Sequence, residues 1–421
     1  MSTKLLLINP NNYKNPPVLP IGLEYIKESL RDYDCHVEIL DLTFSKDILP
    51  EIKNVIENKG FDLIGLSIRN IDSCIYFNNE FFLPNFKKII DYIKLFKIPI
   101  ILGGSGFSAS PKEILNYFQV DYGIIGPAEK AFPIFLELWK KNKIKEKIIN
   151  GWQYGIDSEL LPIRAIDLDY NKYLKNDGLV GFTTHVGCSN QCPYCIEANK
   201  KVHHRKIKNI IKEIEILINN GYIHYHLSDS EFNQDLKFCK RFCRELARKK
   251  FDFKWTLYMK PTPYDEEMFQ LLSESNAYLI TLSVDSYDKI QKRNNYSYDD
   301  LEKIIKYCKK YNIELVIDLL TGYPYESIES TKKIIGFFKK NRPKSVGISF
   351  YYRLFNNTEL SDLIKKDHKL QEKLTRSFLD NEDCLNPIFY HQYNKEDIQE
   401  LIEDEDLFKI AGISLEVNYQ L

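Results

Sequence analysis

The 421-residue sequence lacks an excess of charge of either sign, since 58 Lys and Arg residues nearly balance 59 Asp and Glu residues. This balance argues against a protein that coats nucleic acid and favours a small-molecule or peptide ligand. The sequence also lacks any run of about eighteen uncharged apolar residues, which argues against a membrane span. Its first residues contain a short apolar run, 5–8, without the cationic start and cleavage site of a signal peptide. We therefore expect a cytoplasmic protein.

Length and composition indicate two folded domains. A chain of 421 residues exceeds one ordinary hydrophobic core, and 44% apolar with 13% aromatic residues is enough to fill two. The sequence contains nine cysteines. Because thiols stay reduced in the cytoplasm, we expect a few of them to serve metal or redox chemistry and the others to pack.

The first half alternates short apolar runs with amphipathic segments of helical period. Strands with near-continuous Leu and Ile content are typical of a parallel sheet that is covered on both faces. The predicted strands are 4–8, 36–40, 62–68, 98–102 and 122–125, and the predicted helices are 21–31, 48–59, 86–96, 111–118 and 130–140. The pattern predicts an α/β, doubly wound, Rossmann-like domain over residues 1–145, with its ligand at the carboxyl ends of the strands.

Unusual residues follow the predicted strands at that edge. Ser67, Arg69, Asn70 and Asp72 lie at the end of the third strand and beyond it, and glycine-containing loops follow the fourth and fifth. Glycines there let backbone N–H groups approach a bulky or anionic ligand. Each loop alone could be an ordinary turn, but their clustering at one edge favours a binding site.

After a predicted linker, 146–178, the alternation of strands and helices resumes. The predicted strands are 180–185, 223–227, 254–259, 278–283, 314–320 and 345–351, and the predicted helices are 207–219, 236–249, 266–275, 299–311 and 328–339. Six β/α units are too few to close an eight-stranded barrel, so residues 179–355 predict an open, partial (β/α)6 barrel. Residues 356–421 predict a small, mostly helical cap.

Three cysteines, Cys188, Cys192 and Cys195, share one short loop after the first predicted barrel strand. Three thiolates can hold three irons of a [4Fe-4S] cubane and leave the fourth iron open for the amino and carboxylate groups of a methionine derivative. The alternatives are a chance clustering and a structural zinc site with His185 or His203 as the fourth ligand. The position after a strand that opens a β/α barrel favours the cluster.

The segment 188–195 resembles the CxxxCxxC signature of the radical S-adenosylmethionine (SAM) superfamily, including the aromatic Tyr194 before the last cysteine. Segments 226–233, 283–286 and 321–327 are similar to the family's motifs after the second, fourth and fifth strands. Lys260, at the end of the third predicted strand, is placed to pair with the SAM carboxylate, unless it is a surface lysine. The implied SAM contacts are Tyr194, Ser228, Asp229, Ser230, Lys260, Ser283, Asp285 and Tyr323.

The first half resembles the cobalamin-binding domain of one branch of that superfamily. Glycine pairs and a Gly-x-x-Glu loop stand where that branch has similar patterns, but the Asp-x-His-x-x-Gly motif that supplies an axial imidazole is missing. The resemblance implies cobalamin bound without a protein histidine on cobalt. The implied contacts are Ser67, Arg69, Asn70, Gly103, Gly104, Ser105, Gly106, Gly126 and Glu129.

The run from Ser67 to Asp72 looks like the corresponding segment in a subgroup of this branch that includes a tryptophan C2-methyltransferase. In that subgroup the arginine, here Arg69, lies beneath cobalt and keeps its lower face free of a ligand. A cation there would destabilise Co(III) relative to lower oxidation states, because like charges repel. The alternative is that Arg69 pairs with Asp72 or a phosphate.

The resemblance implies a cobalamin-dependent radical SAM methyltransferase. It would move a methyl group from SAM via methylcobalamin to an unactivated carbon, or phosphorus, of a small molecule or peptide, with flavodoxin or ferredoxin as electron donor. One alternative keeps both cofactors but catalyses a non-methylating rearrangement, cyclisation or oxidation. A second alternative is a zinc-stabilised, non-catalytic α/β binding protein, and a third is that the first domain has lost its cobalamin.

The other cysteines are expected to be packed thiols. They are Cys35, Cys74, Cys239, Cys243, Cys308 and Cys384. The basic run 203–205 after the cysteine loop could hydrogen-bond a substrate, but we expect it to be solvated.

Overall fold

The structure is a computed structural model that describes residues 2–178, 180–379, 381–403 and 406–414. As far as residue 219, its strands and α-helices are β1 (Thr3–Asn9), α1 (Ile21–Ser29), β2 (Cys35–Asp41), α2 (Ile48–Lys59), β3 (Leu63–Ser67), α3 (Leu83–Lys94), β4 (Ile100–Gly103), α4 (Ser105–Ala109), α5 (Pro111–Phe118), β5 (Tyr122–Ile125), α6 (Ala131–Lys140), β6 (Ile148–Asn150), α7 (Tyr170–Leu174), β7 (Val180–Phe182), β8 (His185–Val186), β9 (His203–His204) and α8 (Ile207–Asn219).

The remaining strands and α-helices alternate more regularly. They are β10 (His224–Leu227), α9 (Leu236–Arg248), β11 (Lys254–Met259), α10 (Glu266–Glu274), β12 (Ala277–Asp285), α11 (Asp288–Arg293), α12 (Tyr298–Lys310), β13 (Glu314–Leu320), α13 (Ile328–Asn341), β14 (Ser345–Ser349), β15 (Tyr351–Arg353), α14 (Glu359–Lys366), α15 (His368–Gln371), β16 (Phe389–His391), α16 (Lys395–Ile402) and β17 (Phe408–Ile410). Among the described residues, the structure contains no helix with the length and apolarity needed to cross a bilayer.

The chain packs as two units, and neither is one continuous piece of sequence. The first unit comprises Met1–Ser73, Glu80–Phe182 and His203–Tyr222, and the second comprises Cys74–Asn79, Thr183–Val202 and Ile223–Leu421. The domain limits expected from the sequence, 1–145, 146–178, 179–355 and 356–421, stay a prediction. The last of these ranges includes residues 415–421, which lie outside the described residues.

A parallel sheet with the strand order β2-β1-β3-β4-β5-β6 forms the centre of the first unit. The strand order reverses between β1 and β3, which is where doubly wound folds bind ligands. Continuous apolar strands explain the arrangement, because Leu5, Leu63 and Ile101 are buried in a core with Phe132 and Phe135 of α6. The predicted fold class is confirmed. Strand β6 and the short helix α4 were not predicted.

Parallel strands in the order β17-β14-β13-β12-β11-β10 form the centre of the second unit. Side-chain caps begin several of its helices. At α9, Asp235 accepts hydrogen bonds from Lys237 N and Phe238 N at 2.9 and 3.1 Å, and at α10, Asp265 accepts one from Met268 N at 2.9 Å. After residue 355 the chain contains the expected helices. It also adds β17 to the sheet, beside β14, which the sequence did not predict because β17 has only three residues.

A short segment from the first half of the chain, Cys74–Asn79, belongs to the second unit. Its Tyr76 ring stacks on Tyr351 with 4.0 Å between ring centroids and 14° between ring planes. Asn78 donates from Nδ2 to the carbonyl oxygen of Gly412 at 2.6 Å. The segment is therefore a built-in part of the second unit.

Buried charges fix the interior of the first unit. Arg164, with a side chain that is 0% exposed, donates from Nε to Glu24 at 2.7 Å and from Nη1 to Glu213. Arg205 pairs with the same Glu213 at 2.7 Å, and Tyr170 donates to Glu24 at 2.6 Å. Burial acts to raise the pKa of Glu213, but the attraction of Arg205 and Arg164 holds it below its ordinary value. The expectation that residues 203–205 are solvated is therefore wrong for Arg205, which is 6% exposed.

Replacing Arg164 with Leu is expected to lower the free energy of unfolding by about 3–5 kcal/mol, because Glu24 and Glu213 would remain buried with less compensating charge. The matched control is Lys27→Leu, since the Lys27–Asp167 pair is partly exposed, with side-chain exposures of 35% and 24%. That change is expected to cost about 1 kcal/mol or less. Urea unfolding, followed by circular dichroism, measures both. Equal losses would contradict the assigned role of the buried network.

Candidate functional sites

A cavity of about 190 Å³ lies at the carboxyl edge of the first sheet. Five of the expected cobalamin contacts line it: Ser67, Gly103, Gly104, Gly126 and Glu129. Apolar residues of the surrounding strands and helices, including Leu7, Ile101 and Phe132, line much of the rest. The edge that the sequence singled out is thus a concave surface between strand ends.

The loops after β3 and β4 fit closely against each other. Ser105 Oγ and Gly106 N both donate to the Arg69 carbonyl oxygen at 2.7 Å. Gly104 has φ +97°, and a Cβ there would lie 2.5 Å from the Ile68 carbonyl oxygen. A Cβ at Gly106 would lie 2.9 Å from the Asn70 backbone. These two glycines therefore allow one loop to pack on the other, whereas a Cβ at Gly103 would meet nothing within 4 Å.

Two of the expected cobalamin contacts, Arg69 and Glu129, are ionisable. Arg69 is half-buried on the β3 loop, and the role of its side chain stays a prediction. Burial raises the pKa of Glu129, and its Oε2 has no hydrogen-bond partner among the described residues. The described residues that line the cavity include no histidine.

The cysteine loop lies in the second unit, directly after β8. Cys188, Cys192 and Cys195 all line one cavity of about 260 Å³ at the carboxyl ends of β10 to β14. Gly187 begins the loop at φ +93°, where a Cβ would collide with the Lys201 carbonyl oxygen. The loop closes through Lys200 N, which donates to the Cys188 carbonyl oxygen at 2.9 Å.

N–H donors surround the sulfur atoms. Gln234 Nε2 lies 3.3 Å from Cys188 Sγ, and Asn294 Nδ2 lies 3.5 Å from Cys192 Sγ. Backbone N–H groups of Glu197 and Ala198 stabilise the thiolate form of Cys195, although burial dominates and raises its pKa to about 11. Such donors suit sulfur atoms that carry negative charge, as the thiolate ligands of a cluster do.

The described residues contain no group of three His, Cys, Asp or Glu side chains arranged to hold a single metal ion. His185, a possible zinc ligand, has its Nδ1 3.0 Å from Asp229 Oδ2. In a cubane each thiolate binds a different iron, so the three sulfur atoms need only line the same cavity. The residues present therefore fit an iron–sulfur cluster better than a zinc ion.

Asp229, an expected SAM contact, faces away from this cavity. Its carboxylate accepts hydrogen bonds from Thr184 N at 2.8 Å and from His185 N at 3.3 Å. Burial acts to raise its pKa, but the neighbouring His185 holds the pKa below the ordinary value. Asp229 thus fixes the chain just before the cysteine loop.

Acidic side chains line the cavity beside the cysteines, and three of them, Glu197, Glu231 and Asp318, were not predicted. Burial raises the pKa of Glu231 to about 8, that of Asp285 to about 7 and that of Asp318 to about 6. Glu231 Oε2 has no hydrogen-bond partner among the described residues. Tyr194 donates to Asp285 at 2.7 Å. A charged residue inside an otherwise apolar strand was the available signal for Asp318.

Some of the remaining expected SAM contacts line the cavity and others do not. Ser230, Ser283 and Lys260 line the cavity, and Lys260 is 8% exposed with its Nζ 3.2 Å from Ser189 Oγ. Burial lowers the pKa of Lys260. Ser228 is exposed, and the Tyr323 ring packs between Tyr287 and Tyr352 at centroid distances of 5.7 and 5.8 Å.

The other cysteines differ in exposure. Cys239, Cys243, Cys308 and Cys384 are buried, Cys35 is half-buried and Cys74 is exposed. The expectation of packing is therefore wrong for Cys74.

Two sequence models cover most of this architecture. Residues 182–338 match the radical SAM superfamily, and residues 15–136 match the B12 binding domain. The chain therefore contains a radical SAM domain and a B12-binding domain.

Two named methyltransferases are among the relatives of this chain. Tryptophan 2-C-methyltransferase of Streptomyces laurentii is 23% identical, over 83% of this chain and 72% of the relative. Cytidylyl-2-hydroxyethylphosphonate methyltransferase of Streptomyces wedmorensis is 22% identical, over 92% of this chain and 85% of the relative.

Solved structures share the fold. The radical SAM methyltransferase TsrM from Kitasatospora setae, with cobalamin and a [4Fe-4S] cluster bound, superposes with a TM-score of 0.88 at 22% identity, over 97% of this chain and 93% of that one. The cobalamin-dependent enzyme OxsB with aqua-cobalamin bound gives 0.74 at 15% identity, over 94% and 65%.

The contact between the loops after β3 and β4 can be tested at two adjacent glycines. Gly104→Ala is expected to cost at least about 1–3 kcal/mol of stability, because φ +97° is strained for alanine and its Cβ meets backbone. Gly103→Ala meets nothing within 4 Å and is expected to change stability by less than about 0.5 kcal/mol. Thermal unfolding of the two variants measures the difference. Equal melting temperatures would contradict the close loop packing.

Proposed function

We propose that the protein is a cobalamin-dependent radical SAM methyltransferase, which transfers a methyl group from SAM to a carbon or phosphorus atom of a small molecule. The observation that carries the proposal is the cavity in which three cysteines meet buried carboxyl groups and Lys260 at the ends of parallel strands. Two named methyltransferases among the relatives support it. An external electron donor such as flavodoxin or ferredoxin belongs to the same proposal.

In the second unit, Cys188, Cys192 and Cys195 are proposed to hold a [4Fe-4S] cluster. Lys260 is proposed to bind the carboxylate of SAM, because a buried ammonium group favours an anion. The acids Glu231, Asp285 and Asp318 would face the sulfonium and α-ammonium groups of SAM, and Asp318, with a pKa of about 6, would supply negative charge at neutral pH.

In the first unit, the residues proposed to hold cobalamin are those of the loops at the carboxyl edge. They are Ser67, Arg69, Asn70, Gly103, Gly104, Ser105, Gly106, Gly126 and Glu129. Cobalamin, when bound, supplies a cobalt centre that accepts a methyl group and passes it on. Arg69 would contribute a positive charge, which disfavours oxidised cobalt through like-charge repulsion.

The substrate is proposed to be a small molecule, and tryptophan is the first acceptor to test. A structure of the Kitasatospora setae relative contains tryptophan as substrate together with a SAM analogue, with a TM-score of 0.88 to this chain. The 21% identity leaves the acceptor of this protein open to experiment. Indole derivatives and phosphonates are therefore included with tryptophan in the first assays.

Anaerobically reconstituted protein, with iron, sulfide and cobalamin, is expected to move a ²H-labelled methyl group from SAM to an acceptor, as measured by mass spectrometry. Cys192→Ala is expected to lose most of its iron and at least 100-fold in product, because one ligand is removed. Cys243→Ala is the matched control, since this thiol is buried in α9 away from the cavity.

Each alternative has its own outcome, either in that assay or in metal and corrinoid analysis of the protein as purified. An unlabelled product would indicate a rearrangement, cyclisation or oxidation in place of methyl transfer. Zinc without iron in the purified protein would support the non-catalytic binding protein. Iron without a retained corrinoid would mean that the first unit no longer binds cobalamin.

Asp318→Asn is expected to weaken SAM binding about tenfold at pH 8, because it removes one negative charge from the cavity. Since the Asp318 pKa is raised to about 6, its carboxyl gains charge as pH rises through 6, and SAM affinity of the unmodified protein should rise with it. The variant should lose that part of the pH dependence. Calorimetry from pH 5 to 8 measures both. Asp288→Asn, at an exposed pair on α11, is the control; an equal effect there would refute the local role.

A further inference from the structure

The side-chain amides of Gln234 and Asn294 form hydrogen bonds with the cysteine loop. Gln234 Oε1 accepts hydrogen bonds from Ser189 N at 3.0 Å, Ser189 Oγ at 2.7 Å and Lys260 Nζ at 3.3 Å. Three donors around one atom identify it as the oxygen, so the NH₂ group is the one that faces Cys188 Sγ. The orientation of the Gln234 amide is therefore determined by its neighbours.

Asn294 repeats the arrangement at the second cysteine. Its Oδ1 accepts a hydrogen bond from Gln191 N at 3.0 Å, which leaves Nδ2 directed at Cys192 Sγ. Each amide therefore holds one backbone N–H of the loop and offers its own N–H to the neighbouring sulfur. The two amides come from distant parts of the chain, after β10 and after α11.

Both amides are themselves fixed by the fold. Gln234 ends a 3₁₀ turn, Phe232–Gln234, and the buried Asn233 ties this turn to the end of β11 through hydrogen bonds with Lys260 N and Lys260 O at 3.0 and 2.8 Å. Thr262 Oγ1 donates to the Asn294 carbonyl oxygen at 3.2 Å. Neither amide has to be ordered when a cluster binds.

We propose that Gln234 and Asn294 are positioning residues that set the reduction potential of the cluster held by the three cysteines, through N–H···S hydrogen bonds to Cys188 and Cys192. The inference rests on the cluster of the proposed function. One-electron reduction adds negative charge to the cluster, and an N–H donor at sulfur stabilises that charge. Removing either donor therefore makes the cluster harder to reduce.

The test uses full-length, anaerobically reconstituted protein and an electron paramagnetic resonance titration, in which a mediated reductant supplies one electron per cluster. At the midpoint potential of the unmodified protein, Gln234→Met and Asn294→Leu are each expected to show a reduced-to-oxidised ratio at least threefold lower. This corresponds to a shift of about 28 mV, since a tenfold ratio is 59 mV for one electron. Gln270→Met, the same substitution on exposed α10, is the control and should leave the ratio unchanged.

A second measurement needs no substitution. Unmodified protein with ¹⁵N-labelled glutamine or asparagine amides is expected to show an electron–nuclear coupling to the reduced cluster in pulsed resonance spectra. Unchanged midpoints in cluster-bearing variants, or no coupling from either label, would overturn the inference. These outcomes are separate from failure of the proposed function, in which the unmodified protein binds no cluster or transfers no methyl group.

Discussion

The register of the parallel strands in the second unit determines what the cavity contains. Ser283 of β12 lies beside Asp318 of β13, and two residues further on Asp285 lies beside Leu320. Because side chains alternate between the two faces of a strand, these four residues all face the same side. One layer of the wall therefore carries Ser283 and Asp318, and the next carries Asp285 and Leu320. A shift of one residue would move every one of these groups out of the cavity.

Buried carboxyl groups are compensated to different degrees in the two units. In the first unit, Arg164 and Arg205 pair with Glu24 and Glu213 and hold the pKa of Glu213 below its ordinary value, although burial still raises that of Glu24. In the cavity of the second unit, Glu231, Asp285 and Asp318 lie near a single lysine, and burial raises the pKa of all three. Carboxyl groups paired with buried arginines contribute to a fixed interior, whereas carboxyl groups without such partners favour a cationic ligand. The contrast separates structural charge from charge that is available for binding.

The sequence was informative wherever the signal was local. Strand positions followed from apolar runs, and the cysteine motif followed from the spacing of Cys188, Cys192 and Cys195. Gln234 and Asn294 carry no such signal, because their value comes from contacts with residues 46 and 102 positions away. The glycines of the β4 loop lie at the carboxyl edge of the sheet, as the sequence indicated. The need for Gly104 and Gly106 comes from the close packing of the β3 loop, and this contact is visible only in the folded chain.

Because the segment Cys74–Asn79 belongs to the second unit, the two units cannot be separated by a simple truncation of the chain. Its aromatic side chain Tyr76 is stacked in the second unit, while the first unit in turn takes in residues 203–222, beyond the cysteine loop. The two units are thus interleaved along the polypeptide, and no single cut yields both of them whole. During synthesis, the first unit is incomplete until the ribosome has passed the cluster motif. An exchange of units between relatives would need five crossover points, after residues 73, 79, 182, 202 and 222, to preserve both interiors.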